Sequence, residues 1–248
     1  MTSDNADLGE KALSKAAEMG ITNQLDKVEE LDVDIRANPS KLVQGEVESV
    51  AIAGKGMVMK QQLRMESLDL KTDAVAINPL RAVLGDIQLT HPTNADAQVV
   101  LTEGDLNRAI ASDFLQEKLK DLKLKTADQV YTVVVNRASI HLLEDGTVFI
   151  DAKCLIQETN EEKKLTVTVV PKLIEDEHKI GMEVLSAEGE GLTTEFIAAV
   201  IDAIAMLLDL RNFQVPGMSF QLRKFEVTKG KLTLHAQTEI TQLPNAEQ

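Results

Sequence analysis

The sequence predicts an α+β fold in which a curved antiparallel sheet wraps around long amphipathic helices, and three observations support it. Several segments alternate apolar and polar residues with the period of two that is typical of strands. Two long segments instead repeat at helical spacing. The 248 residues contain no low-complexity linker. We therefore predict one domain over 1–248, in which 1–30 is an N-terminal helical segment.

The N-terminal segment is predicted to be helical and then extended. Apolar residues recur at helical spacing from Asp7 to Met19, with Asp7 as the cap and Gly20 as the stop signal. A second short helical run is expected to continue to about Glu30. The period changes to two over residues 31–36, which indicates a half-buried strand.

Most of the remaining chain is predicted to be strand. Residues 46–79 alternate, and the glycine pair 54/56 indicates a turn or a bulge. Four strand-like runs over 129–189 are separated by turn signals, so we expect an antiparallel meander. A closing hairpin is predicted over 220–243, with its turn at 229–230.

The segment 101–125 is predicted to be helical. It begins with a capping box at Thr102 in which Asp105 takes the place of Glu. A break or kink is expected near Ser112, because the apolar residues change faces there. The first face contains Leu106, Ile110 and Phe114, and the second contains Leu115, Leu119 and Leu122.

The segment TTEFIAAVIDAIAMLLDL, residues 193–210, predicts a helix with a wide apolar stripe. Its bulky apolar residues cover about 140° of the circumference, whereas a helix on a flat sheet needs roughly 100°. Two interpretations remain open: the stripe is packed core, or part of it lines an apolar groove for lipid chains. The candidate lipid-binding residues are Leu106, Ile110, Phe114, Phe196, Ile197, Val200, Ile201, Ile204, Leu207 and Leu208.

Composition excludes several classes of function. The formal net charge of −14 argues against nucleic-acid binding and disfavours firm adhesion to anionic membranes. The stretch 193–210 is shorter than the roughly 20 apolar residues of a membrane span and has Asp202 at its centre. The first residues are acidic and polar where a signal peptide needs positive charge and an apolar run, so we predict a cytoplasmic protein.

The sequence contains no pattern typical of catalysis or metal binding. Cys154 has no partner cysteine, and we interpret it as a small apolar filler within a strand. The four histidines lack metal-ligand spacing and are expected on the surface or in strands. A Gly-x-Ser-x-Gly elbow and a P-loop are both missing. The sequence therefore predicts a protein that is not an enzyme and needs no metal or cofactor.

The segment KLKDLKLK, residues 118–125, is unusual because it concentrates lysines in an acidic protein. One interpretation is a contact with lipid head groups or a membrane surface, with the leucines shallowly inserted. The other is the solvated face of an amphipathic helix. The lysines are Lys118, Lys120, Lys123 and Lys125.

Two long stretches, 38–79 and 85–112, together resemble the LmeA-like phospholipid-binding family. The family pattern has a proline-led P..L..G.V.SV.I.G.G, a strand that ends in INP, and L..P..A.A.V.LTE.DLN.A..S. The matching positions are Pro39, Leu42, Gly45, Val47, 49–52, Gly54, Gly56, 77–79, Pro92, Ala95, Ala97 and 101–107. The resemblance covers 31–112 well and the remainder by the order of its elements.

This resemblance implies a fold similar to the tubular lipid-binding proteins, with an apolar groove for the acyl chains of a phospholipid or glycolipid and transient contact with a membrane. Exported members of the family carry a signal peptide, so the start of this chain favours action in the cytoplasm or at the cytoplasmic leaflet. The alternative function is an interaction or scaffold module whose groove is filled by its own side chains. An unrecognised hydrolase is the third and least favoured alternative, and the sequence names no protein partner.

Overall fold

The computed structural model describes residues 3–42, 44–59, 63–78, 89–126, 129–174, 179–189, 191–207 and 217–241, without the side chains of 3–9, 39, 179, 204–207 and 218. None of the helices in these ranges has the length and apolarity of a membrane span. In chain order the elements are α1 (Ser3–Thr22), β1 (Glu30–Arg36), α2 (Pro39–Leu42), β2 (Glu46–Val47), β3 (Ser49–Met59), β4 (Leu63–Thr72), β5 (Val75–Ala76), β6 (Thr93–Thr102), α3 (Glu103–Ala111), α4 (Asp113–Leu119), β7 (Leu122–Lys125), β8 (Val130–Leu142), β9 (Val148–Ile156), β10 (Glu161–Ile174), β11 (Lys179–Gly189), α5 (Thr194–Leu207), β12 (Met218–Thr228) and β13 (Lys231–Ile240).

Two antiparallel sheets make up most of the described chain. The first, sheet 1, has six strands in the order β1-β3-β4-β6-β13-β12. The second, sheet 2, has five in the order β11-β10-β9-β8-β7, and β2 pairs with β5 in a small ribbon. Sheet 2 confirms the predicted meander. The hairpin β12–β13 confirms the predicted turn at 229–230, where Gly230 has a φ of +72° that favours glycine.

The predicted fold class is correct in part. The chain is mostly antiparallel sheet, with a curled half-barrel and few helices. Long amphipathic helices wrapped by a sheet are not what the described residues show: α3, α4 and α5 contain 9, 7 and 14 residues, and the 20-residue α1 lies along the edge of β1. The amphipathic faces of α3, α4 and α5 are completed by neighbouring strands, so the sheets and not the helices supply most of the apolar interior.

Helix α1 lies along the open edge of β1 and satisfies its backbone. The Ile35 N–H donates to Ser14 Oγ at 3.1 Å, and the Ala37 N–H donates to Glu10 Oε1 at 2.7 Å. Glu18 accepts a further hydrogen bond from the backbone of Val33, two residues before Ile35 in β1. The spacing fits because four helical residues and two strand residues both advance about 6 to 7 Å. A helix thereby blocks an edge that would otherwise invite another strand.

This arrangement turns the apolar stripe of α1 away from the sheet. Leu13 is 37% exposed and Met19 is 61% exposed, and Ala12 and Ala16 are exposed as well. The predicted boundaries were also wrong: the helix begins at Ser3 and ends at Thr22, beyond both the predicted cap and the predicted stop. The second helical run predicted to about Glu30 is not observed. Residues 23–29 form turns and a single bridge between Lys27 and Val58.

Strand β3 runs unbroken through its two glycines, which corrects the predicted turn or bulge. Its register with β4 does not shift between Ala51 and Met59. Gly56 has a φ of +57°, and a Cβ there would lie 2.2 Å from Cδ of Glu29. At Gly54 a Cβ would lie 2.2 Å from Sδ of Met57. Both glycines therefore make room for neighbouring side chains within a continuous strand.

The predicted break in the segment 101–125 is confirmed, but its last residues were wrongly predicted to be helical. Ser112 has a φ of −68° and a ψ of 148°, and it separates α3 from α4. Residues Leu122–Lys125 form β7 and pair with β8. The alternation of Leu and Lys in this stretch fits a strand with one buried face, since Leu124 is 1% exposed and both lysines are exposed.

Asp105 holds the start of α3. It is 2% exposed, and its carboxylate accepts hydrogen bonds from Thr102 N at 2.8 Å and Thr102 Oγ1 at 2.6 Å, which completes the predicted capping box. Arg64 Nη1 of β4 donates to it at 3.0 Å, and Arg108 Nη2 also donates. Burial alone would raise the pKa of Asp105, but these hydrogen bonds outweigh it and lower the pKa below its ordinary value.

We expect Asp105→Ala to lower the free energy of unfolding by about 3 kcal/mol, because it leaves Arg64 and the helix start without their shared acceptor. Urea unfolding at pH 7 measures the effect. Asp113→Ala is the matched control, since Asp113 is exposed in the first turn of α4, and should cost less than about 1 kcal/mol.

The Asp105 carboxylate also makes the folding stability depend on pH in the acid range. A lowered pKa in the folded state contributes stability that is complete above the unfolded pKa of about 3.9 and is lost as pH falls through the folded pKa. The difference between wild type and Asp105→Ala should therefore shrink below about pH 4. A difference that stays constant down to pH 2 would contradict this role.

Candidate functional site

The apolar interior is shared by both sheets and two helices. Its larger cluster has a buried centre of Leu142, Val148, Leu165, Val167, Val169 and Leu232. Partly buried side chains pack on this centre from α3, from α5 and from sheet 1. They include Leu106, Ile197, Val200, Ile201, Phe225 and Leu234.

A smaller cluster closes the other end of sheet 2. Phe196 of α5 is 4% exposed and meets the Tyr131 ring edge-on at 5.4 Å between centroids. Cys154 packs there as the predicted filler, and burial raises the pKa of its thiol. The buried members are Leu124, Val133, Cys154, Ile156, Phe196 and Ala199.

Sheet 1 presents one apolar face and one polar face. Opposed residues of an antiparallel sheet lie on the same face, so its registers define apolar rows that cross from β1 to β12. Many of these side chains are only half-buried, among them Ile52, Leu68, Leu70 and Val99. One row is Val33, Ile52, Leu70, Ala97, Ala236 and Leu222, and the next is Leu31, Gly54, Leu68, Val99, Leu234 and Phe225.

Leu234 connects this face to the larger cluster. The half-buried rows of sheet 1 therefore continue into the apolar interior between sheet 2 and α5. We call this continuous surface, formed by the apolar face of sheet 1 and the larger cluster, the apolar trough.

The structure brings some of the predicted lipid-binding residues together and separates others. Leu106, Ile197, Val200 and Ile201 converge on the larger cluster and are half-buried. Phe196 belongs to the smaller cluster. Ile110 and Phe114 are half-buried and belong to neither cluster. Ile204 and Leu207 lie in α5 with side chains outside the described residues, as does all of Leu208.

The predicted lysines occupy α4, its C-terminal end and β7. Lys118 Nζ lies 5.2 Å from the centre of the Phe114 ring, and Lys123 Nζ donates to Thr132 Oγ1 at 2.8 Å. Lys120 and Lys125 are exposed. Leu124 is 1% exposed and is not available for shallow insertion, whereas Leu119 and Leu122 are half-buried and Leu122 packs against the smaller cluster.

Helix α3 joins the two sheets by completing the edge of β8. The Ile140 N–H donates to Asn107 Oδ1, and Asn107 Nδ2 donates to Ile140 O, both at 2.8 Å. Glu103 Oε2 accepts the Leu142 N–H at 2.9 Å. Side-chain groups thus bind the β8 backbone as a neighbouring strand would. The Glu103 N–H donates to Gly230 O, and the Gly230 N–H to Leu142 O, which also ties the β12–β13 turn to this edge.

A recess of about 750 Å³ lies where these elements meet. It is lined by Glu103, the end of β8, the β8–β9 turn and the β12–β13 turn. A second recess, of about 550 Å³, lies on sheet 1 and is lined largely by residues of its polar face, including Asp32, Asp69 and His235. None of the predicted lipid-binding residues lines either recess.

Sequence reasoning missed the first recess. Its lining comes from a helix start, two strands and two turns, and Glu103 and Gly230 are 127 positions apart in the chain. The only local signals were charged residues beside turn glycines, which are usually solvated loop tips. The predicted histidine positions are confirmed for His91, which is exposed, and for His141 and His235, which lie in strands; His178 lies outside the described residues.

Within the described ranges, no group of three or more His, Cys, Asp or Glu side chains is placed to hold a metal ion. Two carboxylates whose pKa is lowered make hydrogen bonds within the fold. That of Glu158 accepts the Thr132 N–H at 2.8 Å, and that of Asp145 accepts from Thr147 in the β8–β9 turn.

Comparison with known proteins gives one informative match. The model of the family described as LmeA-like phospholipid-binding matches residues 4–237. No curated protein matches the chain. Among solved structures, the crystal structure of P47 of Clostridium botulinum E1 aligns with 91% of this chain and 96% of its own, at 7% identity and a TM-score of 0.22. That similarity is too low to support an argument.

We expect Asn107→Leu to lower the free energy of unfolding by about 2 kcal/mol, because it leaves the N–H and C=O of Ile140 without partners at similar side-chain volume. Hydrogen exchange at the Ile140 amide should accelerate with it. The control is Asn136→Leu, at an exposed asparagine on the same strand, which should change the stability by less than about 0.5 kcal/mol. Equal losses in the two variants would contradict the edge role of Asn107.

Proposed function

Because the chain belongs to the LmeA-like phospholipid-binding family, we propose that it takes up a phospholipid, or another acyl lipid such as a glycolipid, with its acyl chains along the apolar trough. The observation that supports this is the run of half-buried apolar side chains on sheet 1 that continues into the larger cluster. Half-buried positions are those at which a hydrocarbon guest removes further apolar surface from water.

The free energy available is large. Each buried CH₂ of an acyl chain contributes roughly 0.8 kcal/mol, so even half of an 18-carbon chain would offset several kcal/mol of binding entropy. Recognition of the chains is then by shape and hydrophobic transfer. Transfer of lipid between membranes and a role in membrane-lipid homeostasis are extensions of this proposal, and the cytoplasmic location stays a prediction.

The proposed lipid site includes the residues predicted from the sequence, but they differ in their position relative to the trough. Ile197, Val200 and Ile201 of α5 border the trough, together with Leu106 of α3. Phe196 belongs to the smaller cluster, where it is already packed against Tyr131, so we propose that it bounds the lipid site at that end. For Ile110, Phe114, Ile204, Leu207 and Leu208 a lipid contact remains part of the proposal.

We expect Val200→Asp to reduce lipid uptake by more than about tenfold, because a carboxylate in the trough must be desolvated against the acyl chain. Uptake is measured by native mass spectrometry after incubation with dioleoyl-phosphatidylcholine vesicles. Ala198→Asp introduces the same charge on the exposed side of α5 and should take up lipid as wild type does.

Circular dichroism must show that Val200→Asp retains its fold; if it does not, Val200→Ala takes its place with a smaller expected loss of about threefold. Uptake that is the same in wild type and in all folded variants would place the lipid elsewhere. Absence of uptake by wild type would overturn the proposal.

The alternative, a scaffold module, is favoured by one specific observation. The apolar face of α5 is already in contact with both clusters, and Phe196 and Ala199 are buried. A trough filled by its own side chains would bind no lipid and would leave the edges of the sheets for a protein partner. Organic extraction of the purified protein separates the two functions, since co-purifying lipid supports the first.

We further propose that the lysines of α4 and β7 contact phospholipid head groups when the protein meets a membrane. Support comes from the exposure of Lys118, Lys120 and Lys125 on one stretch of an acidic molecule. Val130, opposite Lys125 in the sheet, is 49% exposed and adds an apolar contact. Lys123 would exchange its hydrogen bond to Thr132 for a phosphate.

Changing Lys118, Lys120 and Lys125 to Glu should weaken association with vesicles that contain anionic lipid by about tenfold at low salt. The effect should vanish near 0.5 M salt, because exposed charges are screened. Flotation of protein with the vesicles measures it. The same change at Lys41, Lys71 and Lys231, which are exposed elsewhere, is the control; equal weakening by both triple variants would show a net-charge effect and not a contact site.

A further inference from the structure

The 750 Å³ recess has the chemistry of a site for a small zwitterion. Its charged side chains are two carboxylates, Glu103 and Glu144, and one ammonium, Lys229. The ring of Phe149 is also part of the wall, tilted by 32° against His141 at 6.0 Å between centroids. Carboxylates and an aromatic face are the groups that bind an organic cation, and lysine is a common partner of phosphate.

The backbone around the recess is fixed by hydrogen bonds. The Gly230 N–H donates to Leu142 O at 3.0 Å, and the Glu103 N–H donates to Gly230 O at 2.9 Å. The β8–β9 turn is held by Thr147, whose N–H and hydroxyl both donate to Asp145. The charged groups are therefore carried by turns whose positions are set before any ligand arrives.

The recess adjoins the apolar trough. Leu142 lines the recess and is also a 3% exposed member of the larger cluster. Leu143 beside it is 39% exposed. The recess and the apolar interior therefore share Leu142 as a common wall, so a charged head group in the recess would lie next to the proposed site of the hydrocarbon tails.

We propose that this recess binds the head group of a zwitterionic, amine-bearing phospholipid, with its ammonium near Glu144, Glu103 and Phe149 and its phosphate near Lys229. The inference rests on the proposed function and adds head-group selectivity to it. Anionic head groups are disfavoured, because the recess carries more negative than positive charge within a molecule of net charge −14.

Glu103 contributes while keeping its structural bonds. Its two oxygens accept from the Leu142 N–H at 2.9 Å and approach His141 Nδ1 at 3.1 Å, and a carboxylate has about four acceptor positions in all. Glu144 is exposed and takes no part in the hydrogen bonds that hold the β8–β9 turn, so it is the residue to vary.

The test is competitive loading of the full chain from vesicles of equimolar dioleoyl-phosphatidylethanolamine and dioleoyl-phosphatidylglycerol, read by native mass spectrometry. Wild type should prefer the ethanolamine lipid by about fivefold, as expected for a few exposed charge contacts. Glu144→Gln should reduce the preference to about twofold, and Glu144→Lys should reverse it. Glu239→Gln removes one exposed carboxylate from β13, away from the recess, and should keep the wild-type ratio.

Lys229→Gln tests the phosphate contact. It should weaken loading of both phospholipids by about threefold and leave loading of dioleoylglycerol, which has no phosphate, unchanged. Equal loading of the two phospholipids by wild type, or an unchanged ratio in Glu144→Lys, would overturn the head-group site while leaving lipid binding intact. Failure to load any lipid, dioleoylglycerol included, would instead overturn the proposed function.

Discussion

The fold depends on how two open strand edges are satisfied without adding strands. Unpaired backbone groups at a sheet edge must find partners, and here the partners are helix side chains. Glu10, Ser14 and Glu18 of α1 serve the edge of β1, and Asn107 and Glu103 of α3 serve the edge of β8. The second arrangement has the larger consequence. Because α3 follows directly from sheet 1, its bonds to β8 fix the two sheets together and align their apolar faces.

These hydrogen bonds give a structural reason for one part of the family pattern. In the stretch LTEGDLN, Thr102 and Asp105 cap the helix, Glu103 and Asn107 bind β8, and Leu106 packs on the larger cluster. This part of the pattern therefore corresponds to the contact between the two sheets. A match to it supports the fold and the class of ligand, whereas it leaves the individual contacts of the lipid to be located by experiment.

The side chains that we propose as the lipid site also serve packing. A core without tryptophan and with 3% aromatic residues relies on aliphatic side chains that adapt to different neighbours. On α5 those side chains already pack against the two clusters, and Phe196 is 4% exposed. Along sheet 1 they are half-buried. The proposed lipid would displace the fewest existing contacts at the half-buried end, along sheet 1.

The sequence by itself determined the local elements: the β8–β11 meander, the closing hairpin, the capping box at Thr102 and the break at Ser112 all follow from periodicity and turn chemistry. It misassigned β7, because Leu-Lys alternation over four residues fits a strand as well as a helix end. It also gave no warning that α1 turns its polar side toward the sheet. That orientation, the alignment of the apolar faces and the meeting of Glu103, Glu144 and Lys229 were decided by tertiary structure, since each depends on hydrogen bonds and packing between residues far apart in the chain.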